Sequence, residues 1–266
     1  MEKIIFNKDI VKITKDNFIC YYKLLKIYLD VAVIDNFDDY IVIDANISSS
    51  DYNACILVND NISFDKDFYE NAIKRFDDKN QAMALWSWVD IGKKINDIKM
   101  EFSYDCDIMC QFPKSFVIEN KEIDGFKIKK FNSLKELFEF DKEVLKFFIS
   151  PYKSNFLSNF IENLNFKEDK NFKEAIFIGF LNNTPIAKGT LMFSDDAIGV
   201  YDIFTLKEFQ GMGLGTALFN FMLKDIKNDK RLCVLEATNQ GKNIYKRANF
   251  KETNKKIYSY KNYFRG

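Results

Sequence analysis

The chain of 266 residues contains no histidine. That absence removes Ser-His-Asp and Cys-His nucleophilic catalysis, imidazole-ligated zinc and any imidazole base. An excess of one charge is missing as well. The 39 Lys+Arg residues balance 39 Asp+Glu, which speaks against an extended surface for nucleic acid. No apolar run approaches the ~18 residues a membrane-spanning helix needs. The opening MEKIIFNKDIVKITKDNF interrupts its apolar residues with charges too often for a signal peptide or a span. Five cysteines is an odd number, and their spacing shows no disulfide framework. Cys106 and Cys110 form a C-x3-C pair with no second pair or histidine to complete a zinc site, so no metal is expected. Together these features fit reduced thiols in a cytoplasmic protein. What is present is an ordinary globular mixture, 47% apolar and 29% charged, in a chain long enough for one large or two modest domains.

The first part of the chain alternates short helical and strand patterns. Lys15 to Leu29 reads as a helix. Tyr40 to Ala45 and Ala54 to Val58 read as strands joined through NISSSDYN, and Phe68 to Phe76 as an amphipathic helix with aspartates at its start. Gln81 to Val89 reads as a strand carrying Trp86 and Trp88 on one face, which makes both core candidates. Ile91 to Met100 reads as a short helix and Cys106 to Phe112 as a strand. Pro113 to Gly125 is the linker candidate, dividing residues 1–120 from 121–266. Charge divides at the same place: 14 basic and 21 acidic residues precede it, 25 and 18 follow. Either these are two solvated surfaces, or the basic half holds an anion and the two halves attract.

The second part is more regular. Phe126 to Phe131 is a strand, and Ser133 caps a helix from Leu134 to Phe148 with Glu136 at the capping-box position. Asn155 to Leu164 is a further helix. Ala175 to Leu181 and Ile186 to Phe193 form a strand pair across Asn182-Asn183-Thr184-Pro185. A strand from Ile198 to Leu206 then runs into Gln210-Gly211-Met212-Gly213-Leu214-Gly215-Thr216, and a helix leaves that turn. Alternating glycines let successive backbone N–H groups face inward, and the helix adds its unpaired N-terminal donors. The result is an anion cradle suited to a diphosphate. The residue pair after the last glycine, Thr216-Ala217, is not the Lys-Ser/Thr of a nucleotide-hydrolysing loop. The spacing is also not the G-x-G-x-x-G of a dinucleotide fold. Cys233 to Ala237 is a strand, Gly241 to Ala248 a short helix, and Phe250 to Tyr260 a closing strand or hairpin.

Gln210 to Gly215 resembles the Q/R-x-x-G-x-G/A motif of the GCN5-related N-acetyltransferase (GNAT) superfamily. Ala237-Thr238 through Gly241 and Tyr245 to Phe250 is similar to that family's AT-x-x-G-x-x-x-Y-x-x-x-GF closing motif. Residues 1–112 more weakly resemble the degenerate half of two-domain members. The resemblance implies an α/β (α+β) protein: a C-terminal GNAT fold, its mixed central sheet flanked by helices, and a smaller GNAT-like N-terminal domain. It implies acetyl transfer from acetyl-CoA to a small-molecule or peptide amine by direct attack in a ternary complex. Residues Gln210, Gly211, Met212, Gly213, Leu214, Gly215 and Thr216 would hold the coenzyme A pyrophosphate, with Asn243 as a further cofactor contact. The backbones of Ile203 and Thr205 would pair with the thioester carbonyl and the pantetheine arm. Tyr245 would donate to the leaving thiolate.

The family often places an acid or imidazole base at the positions of Gly199 and Tyr201, where this chain has neither. An amine of pKa ~10.4 is neutral at a cost of about 4.6 kcal/mol at pH 7, so a proton acceptor is needed. Asp202 and Glu236 are the nearest acids. Strand alternation aims Asp202 away from the Ile203/Thr205 face, which favours a structural hydrogen bond there, and a water chain ending at Tyr201 or at a carboxylate is equally admissible. Tyr201, Asp202 and Tyr245 are therefore the catalytic candidates. Asn249 stands where the family has glycine, and asparagine tolerates the left-handed backbone such a turn needs. Lys242, Lys246 and Arg247 surround Tyr245 and are within reach of the coenzyme's 3′-phosphate, although a solvated helix face is the simpler reading. Two other functions compete: a non-catalytic acyl-CoA sensor, favoured by the missing strand carboxylate, and a tRNA-dependent aminoacyl transferase, disfavoured by the neutral charge.

Overall fold

The computed structural model describes residues 9–95, 98–119, 122–152, 154–167 and 172–262. Helix α1 (Asp9–Tyr28) is followed by strands β1 (Val33–Asn36), β2 (Tyr40–Asp44) and β3 (Ala54–Leu57). A helical segment comes next, α2 (Lys66–Phe68) running through a π-turn (Tyr69–Ile73) into α3 (Lys74–Asp78), and then β4 (Ala84–Ser87) and β5 (Met100–Gln111). Strand β6 (Phe126–Phe131) leads to helices α4 (Leu134–Phe140), α5 (Lys142–Ile149) and α6 (Leu157–Glu162). Strands β7 (Lys173–Leu181), β8 (Thr184–Phe193) and β9 (Ala197–Thr205) precede α7 (Leu214–Asp225). The chain closes with β10 (Leu232–Ala237), α8 (Lys242–Arg247) and β11 (Lys251–Asn262).

These elements form two compact units. The first joins Met1–Cys20, Ile108–Leu157 and Asp169–Thr253; the second joins Tyr21–Asp107, Ser158–Glu168 and Asn254–Gly266. The sequence reading has one cut near residue 120. Here α1, β5, α6 and β11 each change unit along their length and a fifth crossing follows residue 168, so both units are assembled from three segments.

In the first unit the strand order is β10-β9-β8-β7-β6. The pairs from β6 to β9 are antiparallel, and β9 lies parallel to β10. Asn182 and Asn183 turn the β7–β8 hairpin with φ of 50° and 68°, the double left-handed turn that matches strand twist and that asparagine tolerates. Helix α7 buries Leu214, Leu218, Phe219, Met222 and Leu223 in a core shared with Phe177, Leu191, Ile198, Cys233 and Leu235. The helix expected from Leu134 to Phe148 is two helices. Asp141 ends α4 in an extended conformation, and its carboxylate accepts from Glu143 N and Val144 N (2.7 and 3.1 Å) to start α5. Ser133 does cap α4, through Glu136 N (3.1 Å), while the Glu136 carboxylate reaches Asn132 N.

In the second unit the order is β1-β2-β3-β4-β11, with β3–β4 the parallel pair. Asp65 caps α2 through Phe68 N (3.0 Å). Trp86 and Trp88 are both buried. Among the described residues of Ile91 to Met100 there is no α-helix: residues 92–94 form turns, Ile98 is in a 3-10 conformation, and Met100 already opens β5. Gly92 and the Asp90 carboxylate that accepts its N–H (2.9 Å) favour that turn over a helix. Residues 96–97 of that span, and 120–121 of the linker candidate, lie outside the described residues.

Candidate active site

The glycine turn adopts the geometry its sequence requires. Gly211 and Gly213 have φ of 79° and 85°, and Gly213 stands at the N-cap of α7 in the left-handed region. No side chain caps this helix. Its first amides therefore keep their donors, and the first backbone bond back into the turn is Ala217 N to Gly213 O (3.0 Å). A Cβ on Gly211 would meet nothing within 4 Å. Gln210 Nε2 donates to Thr205 O (3.0 Å), tying the turn to the end of β9. Gly215 approaches so closely that a Cβ there would lie 3.1 Å from Thr205 Oγ1. Thr216 accepts from Arg247 Nη2 (3.1 Å), which brings a guanidinium to the cradle's edge. Met212 and Asn243 are exposed, while Leu214 points into the core. An exposed, uncapped set of amides beside a cation is a donor set that fits a diphosphate.

Strands β9 and β10 part beside this turn. Their register runs from Ala197↔Leu232 to Val200↔Leu235 and stops, although β9 continues to Thr205 and β10 to Ala237. Just past that point β9 bulges: Tyr201 faces Thr190 and Phe204 faces Lys188, which leaves Asp202 and Ile203 opposite Gly189. Asp202 takes the left-handed conformation (φ 56°) and its Oδ2 accepts from Thr190 Oγ1 (3.2 Å). The extra residue breaks strand alternation, so alternation does not set the direction of Asp202. The structural hydrogen bond expected of it is present.

Gly199 and Tyr201 owe their surroundings to α1. Tyr201 Oη donates to Asn17 Oδ1 (2.8 Å). The Asn17 amide nitrogen donates in turn to Ser194 Oγ (2.8 Å) and to the carbonyls of Met192 and Ala197 (3.3 Å each). A Cβ on Gly199 would stand 2.0 Å from Asn17 Oδ1 and 2.4 Å from the Tyr201 ring. Burial, followed by the nearby Glu236 charge, pushes the Tyr201 hydroxyl well above its ordinary value. Glu236 itself, on β10 just past the last registered pair, has its Oε1 sealed from solvent with no hydrogen-bond partner among the described residues. Burial pushes its carboxyl up to about 8.

Tyr245 lies on α8 with its ring buried edge-on against Phe219 (centroids 5.1 Å). Thr238 Oγ1 accepts from Gly241 N (3.3 Å) to start that helix. A Cβ at Gly241 would lie 3.5 Å from both Thr238 Oγ1 and the Tyr245 hydroxyl oxygen, so the hydroxyl end sits at the end of β10, two residues beyond Glu236. Asn249 has φ of 72°, as its place in the motif demands, and its side chain donates to Ser115 O (2.9 Å). Lys242 and Lys246 pair with Glu252 (3.0 and 3.1 Å), and Arg247, itself exposed, donates to Thr216. Cys233 is fully buried and its thiol is pushed up by burial, which removes it as a thiolate nucleophile. A cavity of about 620 Å³ opens elsewhere, between α7 and the segment before β6, and none of the expected coenzyme residues lines it.

Sequence reasoning missed Asn17, which lies some 180 residues from its partners and carries no motif. Arg247 is exposed, as a solvated helix face requires, and its bond to Thr216 is what the sequence did not show. Glu236 was named there among the nearest acids, and the parallel β9–β10 register carries it to the level of Tyr201.

Residues 139–261 match the acetyltransferase (GNAT) domain family model. Among solved structures, the chain is similar to a GCN5-related N-acetyltransferase from Kribbella flavida at 12% identity, over 93% of this chain and 95% of that one (TM-score 0.62). A functionally unknown conserved protein from Staphylococcus epidermidis is similar at 13% identity, covering 89% and 96% (TM-score 0.57). A tandem GNAT protein from the clavulanic acid biosynthesis pathway is similar at 6% identity, covering 90% and 85% (TM-score 0.56). No curated protein matches. The segment 139–261 of this chain is a domain of the GNAT superfamily, an acyl-transferring class, and the likeness in fold extends through the N-terminal half. Among the described residues, no helix is long and apolar enough to cross a membrane.

Proposed function

We propose that this protein transfers an acetyl group from acetyl-CoA to the amine of a small molecule or peptide, by direct attack within a ternary complex. The observation that carries this reading is the uncapped glycine turn at the N-terminus of α7, placed beside the parting of β9 and β10. The turn supplies amide donors for a pyrophosphate through Gly211 to Thr216, with Arg247 adding charge. The open edges of Ile203 and Thr205 offer backbone groups to an extended arm that a still-paired strand could not offer. Acetyl-CoA brings the activated thioester. The protein's part is to hold that arm, place Tyr245 near the sulfur as a donor, and receive the proton the nitrogen gives up.

Thermal unfolding with and without acetyl-CoA tests this directly. Ligand at ~100 times its dissociation constant is expected to stabilise the wild type by about 2.7 kcal/mol, several degrees for a chain of this size. Gly213→Glu puts a side chain at φ 85° and a negative charge into the cradle, and is expected to abolish the shift. Absence of a shift in the wild type would end the reading. A non-catalytic acyl-CoA sensor is the second reading, favoured by the lack of any acid at Gly199. Thiol release across a panel of primary amines separates the two: turnover supports the enzyme, and binding without turnover supports the sensor.

A further inference from the structure

We propose that Glu236 is the group that takes the proton from the attacking amine. The proposal rests on the acetyl-transfer reading above and supplies the base that β9 lacks.

The other candidates are occupied. Position 199 cannot carry a carboxylate, because Asn17 Oδ1 and the Tyr201 ring already fill the space where its Cβ would go. Tyr201 has committed its hydroxyl proton to an amide oxygen, which cannot pass a proton on, and its own ionisation is displaced upward by burial. Asp202 is turned into the bulge and held by the Thr190 hydroxyl. Glu236 differs from all three. It stands where β9 and β10 separate, with one carboxylate oxygen buried and unpartnered. A buried acceptor left without a donor is destabilising, so its retention points to a donor that arrives from outside the chain. An ammonium or amine N–H at the strand gap is such a donor.

The surroundings keep the carboxyl available. The titratable groups acting on Tyr201 at this point are Glu236, Cys20 on α1, Asp202 on β9 and Cys233 on β10, and none is a cation. Burial outweighs the hydrogen bond from its own backbone N–H, which favours the ionised form, and the displacement to about 8 puts Glu236 where a base is strong enough to accept a proton and still partly ionised at working pH. In the step itself the nitrogen forms its bond to the acetyl carbon while the carbon–sulfur bond breaks. The electron pair of that bond leaves on sulfur, the nitrogen's proton moves to the Glu236 carboxylate, and the thiolate takes a proton from the Tyr245 side.

The test compares the wild-type chain with Glu236→Gln. Infrared difference spectroscopy of the ligand-free protein is expected to show a protonated carboxyl that titrates near pH 8 and is missing from the variant. Acetyl-CoA binding, measured by calorimetry, is expected to be unchanged, and the variant's melting temperature at pH 6 is expected to equal or exceed the wild type's. Free-thiol release from acetyl-CoA, with water as the probe acceptor, is expected to rise with pH through 8 in the wild type. In the variant it should be roughly 100-fold slower and flat over that range. A variant that keeps the wild-type rate and pH profile overturns the proposal, as does a wild type that binds acetyl-CoA and releases no thiol. Failure of the wild type to bind acetyl-CoA is a separate result, which removes the acetyl-transfer reading and this proposal with it.

Discussion

A methyl group added at Gly199 would stand 2.0 Å from Asn17 Oδ1 and 2.4 Å from the Tyr201 ring. Neither neighbour can give way cheaply. Asn17 is fully buried and donates to three acceptors, and Tyr201 is buried with its ring 6.2 Å from that of Phe18. Gly199→Ala is therefore expected to destabilise the protein by about 2–3 kcal/mol, read as a lower urea midpoint at unchanged slope. A second expectation concerns Glu236 and pH. Its folded value, about 8, lies above the ordinary 4.5, so the folded state binds the proton more tightly than the unfolded chain. The stability this contributes is complete below the unfolded value and is lost as pH rises through about 8. Wild-type stability should fall by a few kcal/mol between pH 6 and 9, and Glu236→Gln should remove most of that slope in denaturant titrations. At this scale the sequence was legible wherever a residue acts through its own backbone, as at Gly211, Gly213 and Asn249. It was silent on Asn17, whose meaning depends wholly on what folds against it.

At the scale of elements, the strands and the motif helix of the first unit could be read because their apolar periods agree with their turn residues, as in the Asn182-Asn183 hairpin. Two helices were misjudged for a shared reason. Apolar spacing shows that a segment is amphipathic, but not where its backbone hydrogen bonds are interrupted. Asp141 interrupts one by capping the next helix with its own carboxylate, and at Asp90-Gly92 a side chain closes a turn before any helix starts. The parting of β9 from β10 was beyond composition or period, since a bulge at a left-handed Asp202 leaves no signature in hydrophobicity. The role of Asp141 gives a prediction at this level. Asp141→Ala removes acceptors from Glu143 N and Val144 N and should cost about 1 kcal/mol, with α5 loosened more than α4. Hydrogen exchange that accelerates first at the amides of residues 143–145 would bear this out, and uniform exchange across both helices would refute it.

Across the whole molecule, charge and motif both suggest a cut near residue 120, yet the first unit draws on segments far upstream of it. Ile10, Thr14, Asn17 and Phe18 of α1 belong to this unit and are buried, Met109 is in its core, and Gln111 Nε2 donates to Asn249 O (2.8 Å). A fragment of residues 121–266 would contain the whole glycine turn and Tyr245 and still lack these contributions. Losing Ile10, Phe18 and Met109 forfeits about 1.5–3 kcal/mol for each side chain buried. Losing Asn17 removes its hydrogen bonds with the Tyr201 hydroxyl, Ser194 Oγ and the carbonyls of Met192 and Ala197, at about 0.5–1.5 kcal/mol each. Together these match or exceed the total stability of an ordinary domain, about 5–15 kcal/mol. The fragment is therefore expected to show helical far-ultraviolet circular dichroism without a cooperative thermal transition, and no melting shift with acetyl-CoA. The full chain should show both. A fragment that unfolds sharply and is stabilised by acetyl-CoA would mean that the first unit closes its core without α1 and β5, and that the Asn17 network refines Tyr201 without being needed to hold β9 in place.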